Sequence, residues 1–246
     1  VTRDRLPRDR RVWGHLAVLS VTFAALPYLL FAWAQQYLAS GVTSILNATT
    51  PIMTALLAGL LFKVETLTRE QILGIVVGTL GVVVIVGPWQ GLGAGTGGIV
   101  PYLAVLGATA CYGVSLSYMR RFLRDSGLSA IMLSFVMIAL AAVWMLILTP
   151  AIGLDPVTLT PSVVIAIVLL GALGTGFAYA WNQNVVRVWG ATRSATVTYI
   201  SPVVGVALGV LVLGEVLVWN EPVGALLVLL GVLLAQRRLR LPARRR

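Results

Sequence analysis

All 18 Lys and Arg residues of this 246-residue chain fall into five short clusters, each separated from the next by a pair of long apolar runs. Arg3, Arg5, Arg8, Arg10 and Arg11 precede the first run. Lys63 and Arg69 follow the second. Arg120, Arg121 and Arg124 follow the fourth, and Arg187 and Arg193 the sixth. Arg237, Arg238, Arg240, Arg244, Arg245 and Arg246 follow the eighth. The intervening segments 35–42, 88–98, 150–161 and 214–221 hold no basic residue. A helix needs about 20 apolar residues to cross the hydrocarbon core of a bilayer. The runs near 13–34, 43–62, 71–87, 99–119, 129–149, 162–183, 194–213 and 222–236 approach or meet that length, the third and the last being short. Eight crossings put every basic cluster on one side, and the positive-inside rule makes that side the cytoplasm, with both termini there. A miscounted span would move every later cluster to the other side, so the partition checks the count.

Composition agrees. The chain is 59% hydrophobic and 11% charged, with a mean hydropathy of +0.95. Soluble domains are about 25% charged. Backbone groups find no water in lipid, so spanning segments are helices or closed barrels. Barrel strands alternate apolar and polar residues, whereas Val76–Ile85 is close to continuously apolar, so helices are expected. The formal charge of +10 sits between spans and along no single face. It reads as an orientation signal with affinity for anionic lipid, and nucleic acid is not an expected partner. One cysteine, Cys111, excludes an intrachain disulfide, and with the lone His15 it cannot build a zinc site. His15, near the cytoplasmic end of the first span, reads as an interfacial residue.

The chain repeats itself. Pro51 corresponds to Pro202, Glu65 to Glu215, Gly74 to Gly224 and Gly81 to Gly231, at offsets of 151 and then 150. Each copy is a helix with a Ser/Thr-rich first half, a Pro, a small-residue apolar second half, an acidic turn and a Gly-containing helix. In the eight-span path the first copy runs outward to inward and the second the reverse, so Glu65 and Glu215 lie on opposite sides. Duplication of opposite orientation is a common carrier design, because the two halves can exchange conformations.

On these residues the sequence resembles the EamA-like permeases of the drug/metabolite transporter superfamily. The resemblance covers nearly the whole chain. It implies an all-α, polytopic transmembrane bundle of inverted repeats of a five-helix unit, with ten spans and both termini inside. Eight spans are present. The expected organisation is a basic cytoplasmic N-terminus at 1–12, an incomplete first repeat of three helices at 13–87, a complete second repeat of five at 99–236, and a basic cytoplasmic tail at 237–246. Val1 in place of Met suits a chain whose first two helices lie upstream; a genuinely reduced protein is the alternative. Family members imply a multi-pass cell (inner) membrane transporter for small organic metabolites such as amino acids or drug-like compounds, working by alternating access.

No catalytic constellation is present, and no cofactor is expected. The glycine-rich segment Gly91–Gly98 has no lysine and reads as a turn between spans, not a phosphate loop. No Asp, Glu, Lys or Arg falls clearly in mid-span, where such residues mark ion pathways; this favours neutral or zwitterionic cargo. Polar uncharged residues remain as candidates for the substrate path: Trp33 and Gln36 ending the first span, Asn47, Thr50 and Pro51 in the second, Tyr179 and Asn182 late in the sixth, and Tyr199, Ser201 and Pro202 in the seventh. Amides and hydroxyls in lipid face the bundle interior. Each proline leaves a carbonyl one turn back without its helical donor, and such a carbonyl beside hydroxyls could bind substrate. Ser and Thr in such helices more often join helices than bind a ligand. Gly74, Gly78 and Gly81 form one stripe, expected to be a close helix contact. A small-molecule substrate and the lipid bilayer are the expected partners, and a homodimer is compatible with the sequence. The rival readings are a transport-inactive paralogue and a membrane-embedded lipid-modifying protein. The latter needs clustered His, Asp or Glu near one interface, which the sequence lacks.

Overall fold

In the computed structural model of the protein, the described residues are 6, 7, 9–63, 66–90, 97–123, 127–152, 158–178, 181, 184, 185, 188 and 197–238. They form α1 (Arg10–Ala34), α2 (Ser40–Leu60), α3 (Arg69–Val86), α4 (Val100–Phe122), α5 (Ala130–Ile152), α6 (Pro161–Phe177), α7 (Val197–Leu213) and α8 (Asn220–Ala235). Every apolar run expected to span thus carries a helix. α1 to α5 are long and apolar enough to cross a membrane, whereas α6, α7 and α8 are shorter apolar helices. Large apolar side chains cover the outside: Leu146 is 74% exposed, Leu170 71% and Leu211 81%. Water would penalise that surface by about 25 cal/mol per Å², and acyl chains would not. The chain is a multi-pass helical membrane protein.

Helix ends follow local chemistry. Thr68 caps α3, its hydroxyl accepting from the Gln71 amide while the Gln71 side chain accepts from the Thr68 amide, a reciprocal capping box. Gly87 closes the same helix at φ 59°, a conformation glycine adopts without penalty. α1 widens over Ser20–Ala25 into a five-residue hydrogen-bonding repeat, directly before Pro27, which cannot donate one turn back.

Contacts divide the chain into two compact units, residues 1–25 with 125–197, and residues 26–124 with 198–246. They cut across the segments 13–87 and 99–236 because helices pair by packing and not by chain order. In the first unit α1 meets α5. Ala24, Ala25 and Ala141 are buried together, and the Trp144 indole donates to the Ser20 hydroxyl at 3.0 Å.

In the second unit the principal packing pair is α3 with α8. A Cβ added to Gly74 would sit 2.5 Å from the Ala235 amide nitrogen and 2.6 Å from the Gly231 carbonyl; one on Gly81 would sit 2.7 Å from the Val228 nitrogen and 2.9 Å from the Gly224 carbonyl. The two helices are antiparallel and touch backbone to backbone, as the glycine stripe predicts. α4 packs on both halves of α2 and on the end of α1, with Gly113 against the backbone at Met53 and Thr54. The core joins Ala34, Ile45, Ile52, Val105, Val228 and Val232.

This unit has two chemically distinct ends. At one, the Arg121 guanidinium on α4 donates to the Phe62 carbonyl beyond α2 at 2.7 Å, and Gly74 near the start of α3 meets Ala235 at the end of α8. Lys63, Arg69, Arg120, Arg121, Arg237 and Arg238 gather at this end. At the other, Trp89 stacks on Trp219 at 5.8 Å, and the Asn220 amide donates to the Val84 and Ile85 carbonyls at 3.1 and 2.9 Å. No Lys or Arg lies there among the described residues.

Candidate functional site

The two Pro-containing helices of the second unit hold most of the candidate residues. α2 breaks at Ala48 and Thr49, between Ser40–Asn47 and Thr50–Leu60, with Pro51 opening the second half. Pro51 has no N–H to give the Asn47 carbonyl. That carbonyl is nonetheless occupied: the Thr50 hydroxyl donates to it at 2.7 Å. The Thr49 hydroxyl donates to the Leu46 carbonyl at 2.7 Å and lies 3.4 Å from the Thr109 hydroxyl on α4. The expectation of a free carbonyl at this proline is therefore corrected. In lipid an unpaired carbonyl is costly, and a threonine one residue before the proline can reach it. Asn47 is exposed, and its side-chain oxygen lies 3.4 Å from the Thr50 hydroxyl.

α2 and α7 meet through small residues. The Ser44 hydroxyl donates to the Ser201 carbonyl at 3.3 Å. A Cβ on Gly205 would lie 2.2 Å from that hydroxyl oxygen, and one on Gly41 3.4 Å from the Val206 Cα. Pro202 is buried inside α7, and Ser201 is exposed. Next to Pro202 lies an open groove of about 590 Å³, lined entirely by apolar residues that include Ile45, Val206, Leu217, Pro222 and Leu226, with the exposed Leu211 on its rim. Such a volume takes a small organic molecule, and its walls offer burial without a directional hydrogen bond.

The remaining candidates lie elsewhere. Trp33 and Gln36 are exposed at the end of α1, Trp33 packing on Tyr37 at 5.1 Å. The Tyr199 hydroxyl, near the start of α7, donates to the Gln236 side-chain oxygen at the basic end. Tyr179 and Asn182 lie outside the described residues. Asn47, Thr50 and Pro51 thus form one group, Ser201 and Pro202 join it through Ser44, and Trp33, Gln36 and Tyr199 mark the ends.

Two contacts between helices escaped sequence reading. Glu215 reaches back to α2, where its carboxylate oxygens accept from the Ser40 amide at 2.6 Å and the Gly41 amide at 3.0 Å. Asn220 caps α3 from the neighbouring helix. A faint signal existed for the first: Ala39, at the N-cap of α2, has no side chain able to cap it. Among the described residues no group of three or more His, Cys, Asp or Glu could hold a metal.

The EamA-like transporter family matches the chain at residues 1–87 and 99–236. The uncharacterized transporter YdfC of Bacillus subtilis (strain 168) is similar, 25% identical over 237 residues, which is 94% of this chain and 74% of that protein. A solved crystal structure, described only as that of a protein, superposes with a TM-score of 0.60 over 95% of this chain and 79% of its own, at 20% identity. That likeness speaks for the fold alone. With a helical membrane architecture, a family match over nearly its full length and a curated relative named as a transporter, the chain belongs to the EamA-like transporter family, whose members are membrane transporters rather than enzymes.

Proposed function

We propose that the protein moves small organic molecules, neutral or zwitterionic, such as amino acids or drug-like amphiphiles, by alternating access between two inverted repeats. The observation that carries this reading is the antiparallel, backbone-to-backbone pairing of α3 with α8, the corresponding Gly-containing helices of the two sequence copies. Under the correspondence of Gly74 with Gly224 and Gly81 with Gly231, the approach of Gly74 to Gly231 and Ala235 should recur as Gly224 to Gly81 and Ile85. Added Cβ atoms on Gly224 meet the Gly81 carbonyl at 2.7 Å and the Ile85 nitrogen at 3.0 Å. Likewise, Gly81 against Gly224 and Val228 recurs as Gly231 against the Gly74 carbonyl at 2.7 Å and the Gly78 nitrogen at 2.5 Å. Gly-containing helices that correspond in the two copies thus lie side by side and run in opposite directions, as an inverted duplication requires, and halves related that way can trade conformations.

In this reading the basic end of the second unit is cytoplasmic, eight helices span the cell membrane, and both termini lie inside. Asn47, Thr50 and Ser201 supply polar contacts, and the open apolar groove beside Pro202 takes the hydrocarbon part of the cargo. The absence of a charged side chain among these residues supports an uncharged or zwitterionic substrate. The test has two arms. Compartment reporters fused after residues 66 and 219 are expected on opposite sides, and the same side for both would end the inverted-repeat reading. Purified protein in liposomes loaded with a mixture of labelled amino acids and lipophilic amines is expected to release at least one of them faster than empty liposomes. Equal release of all of them would remove the substrate classes named.

A further inference from the structure

We propose that Glu215 is the latch that closes the non-basic end of the transport path; this rests on the alternating-access reading above. Its carboxylate spans two consecutive amides at the start of α2, 2.6 Å from Ser40 N and 3.0 Å from Gly41 N. Hydrogen bonds from a helix N-terminus to an ionised carboxylate are strong, because charge and helix dipole add. No local group competes, since Ala39 makes no side-chain cap bond. The cap for α2 therefore comes from a residue 174 and 175 positions away in sequence.

The socket is built for this carboxylate. Gly214, at φ 69°, turns the chain sharply after α7, a conformation open to glycine at little cost. The Glu215 amide then donates back to the Gly209 carbonyl at 3.0 Å, which fixes the side chain over α7. A Cβ on Gly209 would lie 2.2 Å from Glu215 Oε2, and one on Gly41 3.3 Å from it. Alanine at 209 would fill the seat. Three glycines and one carboxylate thus join α2 of the first sequence copy to the end of α7 of the second. These are the two helices that carry the candidate path, and Ser44, one turn below the clasp, already touches Ser201. Opening this end requires α2 and α7 to part, and parting them breaks both carboxylate bonds.

The test needs no knowledge of the cargo. In a Cys111→Ala background, which has no other cysteine, Ser44→Cys reports access to the path through its labelling by a membrane-impermeant maleimide. Right-side-out and inside-out membrane vesicles give the two faces. With Glu215 intact, labelling from the outer face is expected to be slow. Glu215→Ala should raise that rate about tenfold, a conservative figure for the loss of two charge-assisted bonds, and Glu215→Asp, which keeps both acceptor oxygens, should retain part of the protection. A structural role in capping is separated by Ala39→Ser, which gives α2 a cap of its own: in Ala39→Ser/Glu215→Ala the helix is capped again, yet labelling stays fast. An unchanged outer rate in Glu215→Ala, or a return to slow labelling in the double variant, overturns the latch. The inner face distinguishes the two proposals. A faster outer rate with a slower inner one supports both; a faster outer rate with an unchanged inner one supports the latch and removes alternation.

Discussion

Gly231→Ala is the sharpest probe of how the second unit is held together. The added methyl would lie 2.5 Å from Gly78 N, 2.6 Å from Gly78 Cα and 2.7 Å from the Gly74 carbonyl. All three obstacles are backbone, so no rotamer change relieves them. Restoring ordinary contact requires α3 and α8 to move apart by about 1 Å, which loosens dispersion contacts along the whole pair. Overpacking of this kind costs about 1–3 kcal/mol, set against a gain of roughly 0.5–1 kcal/mol from replacing glycine within a helix. A net loss of about 1 kcal/mol, and at most roughly 2.5 kcal/mol, follows from these two terms. The control is Gly107→Ala, where the nearest atom is the Leu30 methyl at 3.7 Å; it should be neutral or stabilising. Unfolding of the purified protein in mixed detergent micelles, followed by circular dichroism, gives the comparison. Because the obstacles recur under exchange of the copies, Gly81→Ala should cost about as much as Gly231→Ala, and Gly74→Ala as much as Gly224→Ala. The double variant Gly74→Ala/Gly231→Ala should lose less than the sum, since one separation serves both. Gly231→Ala as stable as Gly107→Ala would refute the backbone-contact reasoning.

Other outcomes follow from the site. Asn47→Leu should abolish flux in proteoliposomes while leaving membrane insertion and thermal unfolding intact, because an exposed amide is lost and nothing buried is disturbed; unchanged flux would remove Asn47 from the path. Thr50→Val strips the donor from the Asn47 carbonyl and should cost about 1–3 kcal/mol in the same unfolding assay, with Thr50→Ser close to the parent. Asn220→Leu leaves the Val84 and Ile85 carbonyls without their side-chain donor. It should destabilise by a similar amount, roughly 1–3 kcal/mol, and speed amide exchange at the end of α3.

The helices were legible because lipid imposes one rule on every span: it must be apolar and must satisfy its own backbone. The stripe of Gly74, Gly78 and Gly81 was legible for a related reason, since only close approach of another helix suits such a face in lipid. The partner was not legible from spacing, because helix pairing is a property of three-dimensional packing. Of the candidate site, Asn47, Thr50, Pro51 and Pro202 are legible as polar or helix-breaking residues at depth; the structure places the first three at the break in α2 and Pro202 in α7, which α2 meets through Ser44. What failed was the fate of the carbonyl before Pro51. The sequence places threonine next to proline, but whether its hydroxyl turns to the backbone or to the cavity depends on a rotamer. Glu215 was visible as an acidic turn and nothing more, since its partners are backbone amides, which carry no residue-type signature. Tyr199 read as a path residue, yet its hydroxyl is engaged at the end of the bundle by Gln236, a pairing between helices that spacing does not encode.

The seam between α3 and α8 also limits how this protein can vary. Where a glycine faces a side chain, as Gly78 faces the Ile52 methyl or Gly205 the Ser44 hydroxyl, a larger residue can be accommodated by a smaller one opposite, and the pair can drift together. Where it faces backbone alone, as at Gly74 and Gly231, the opposite helix has nothing to shrink. Those two positions admit no second-site compensation, so related sequences should keep them as a fixed pair while the contacts around them exchange volume.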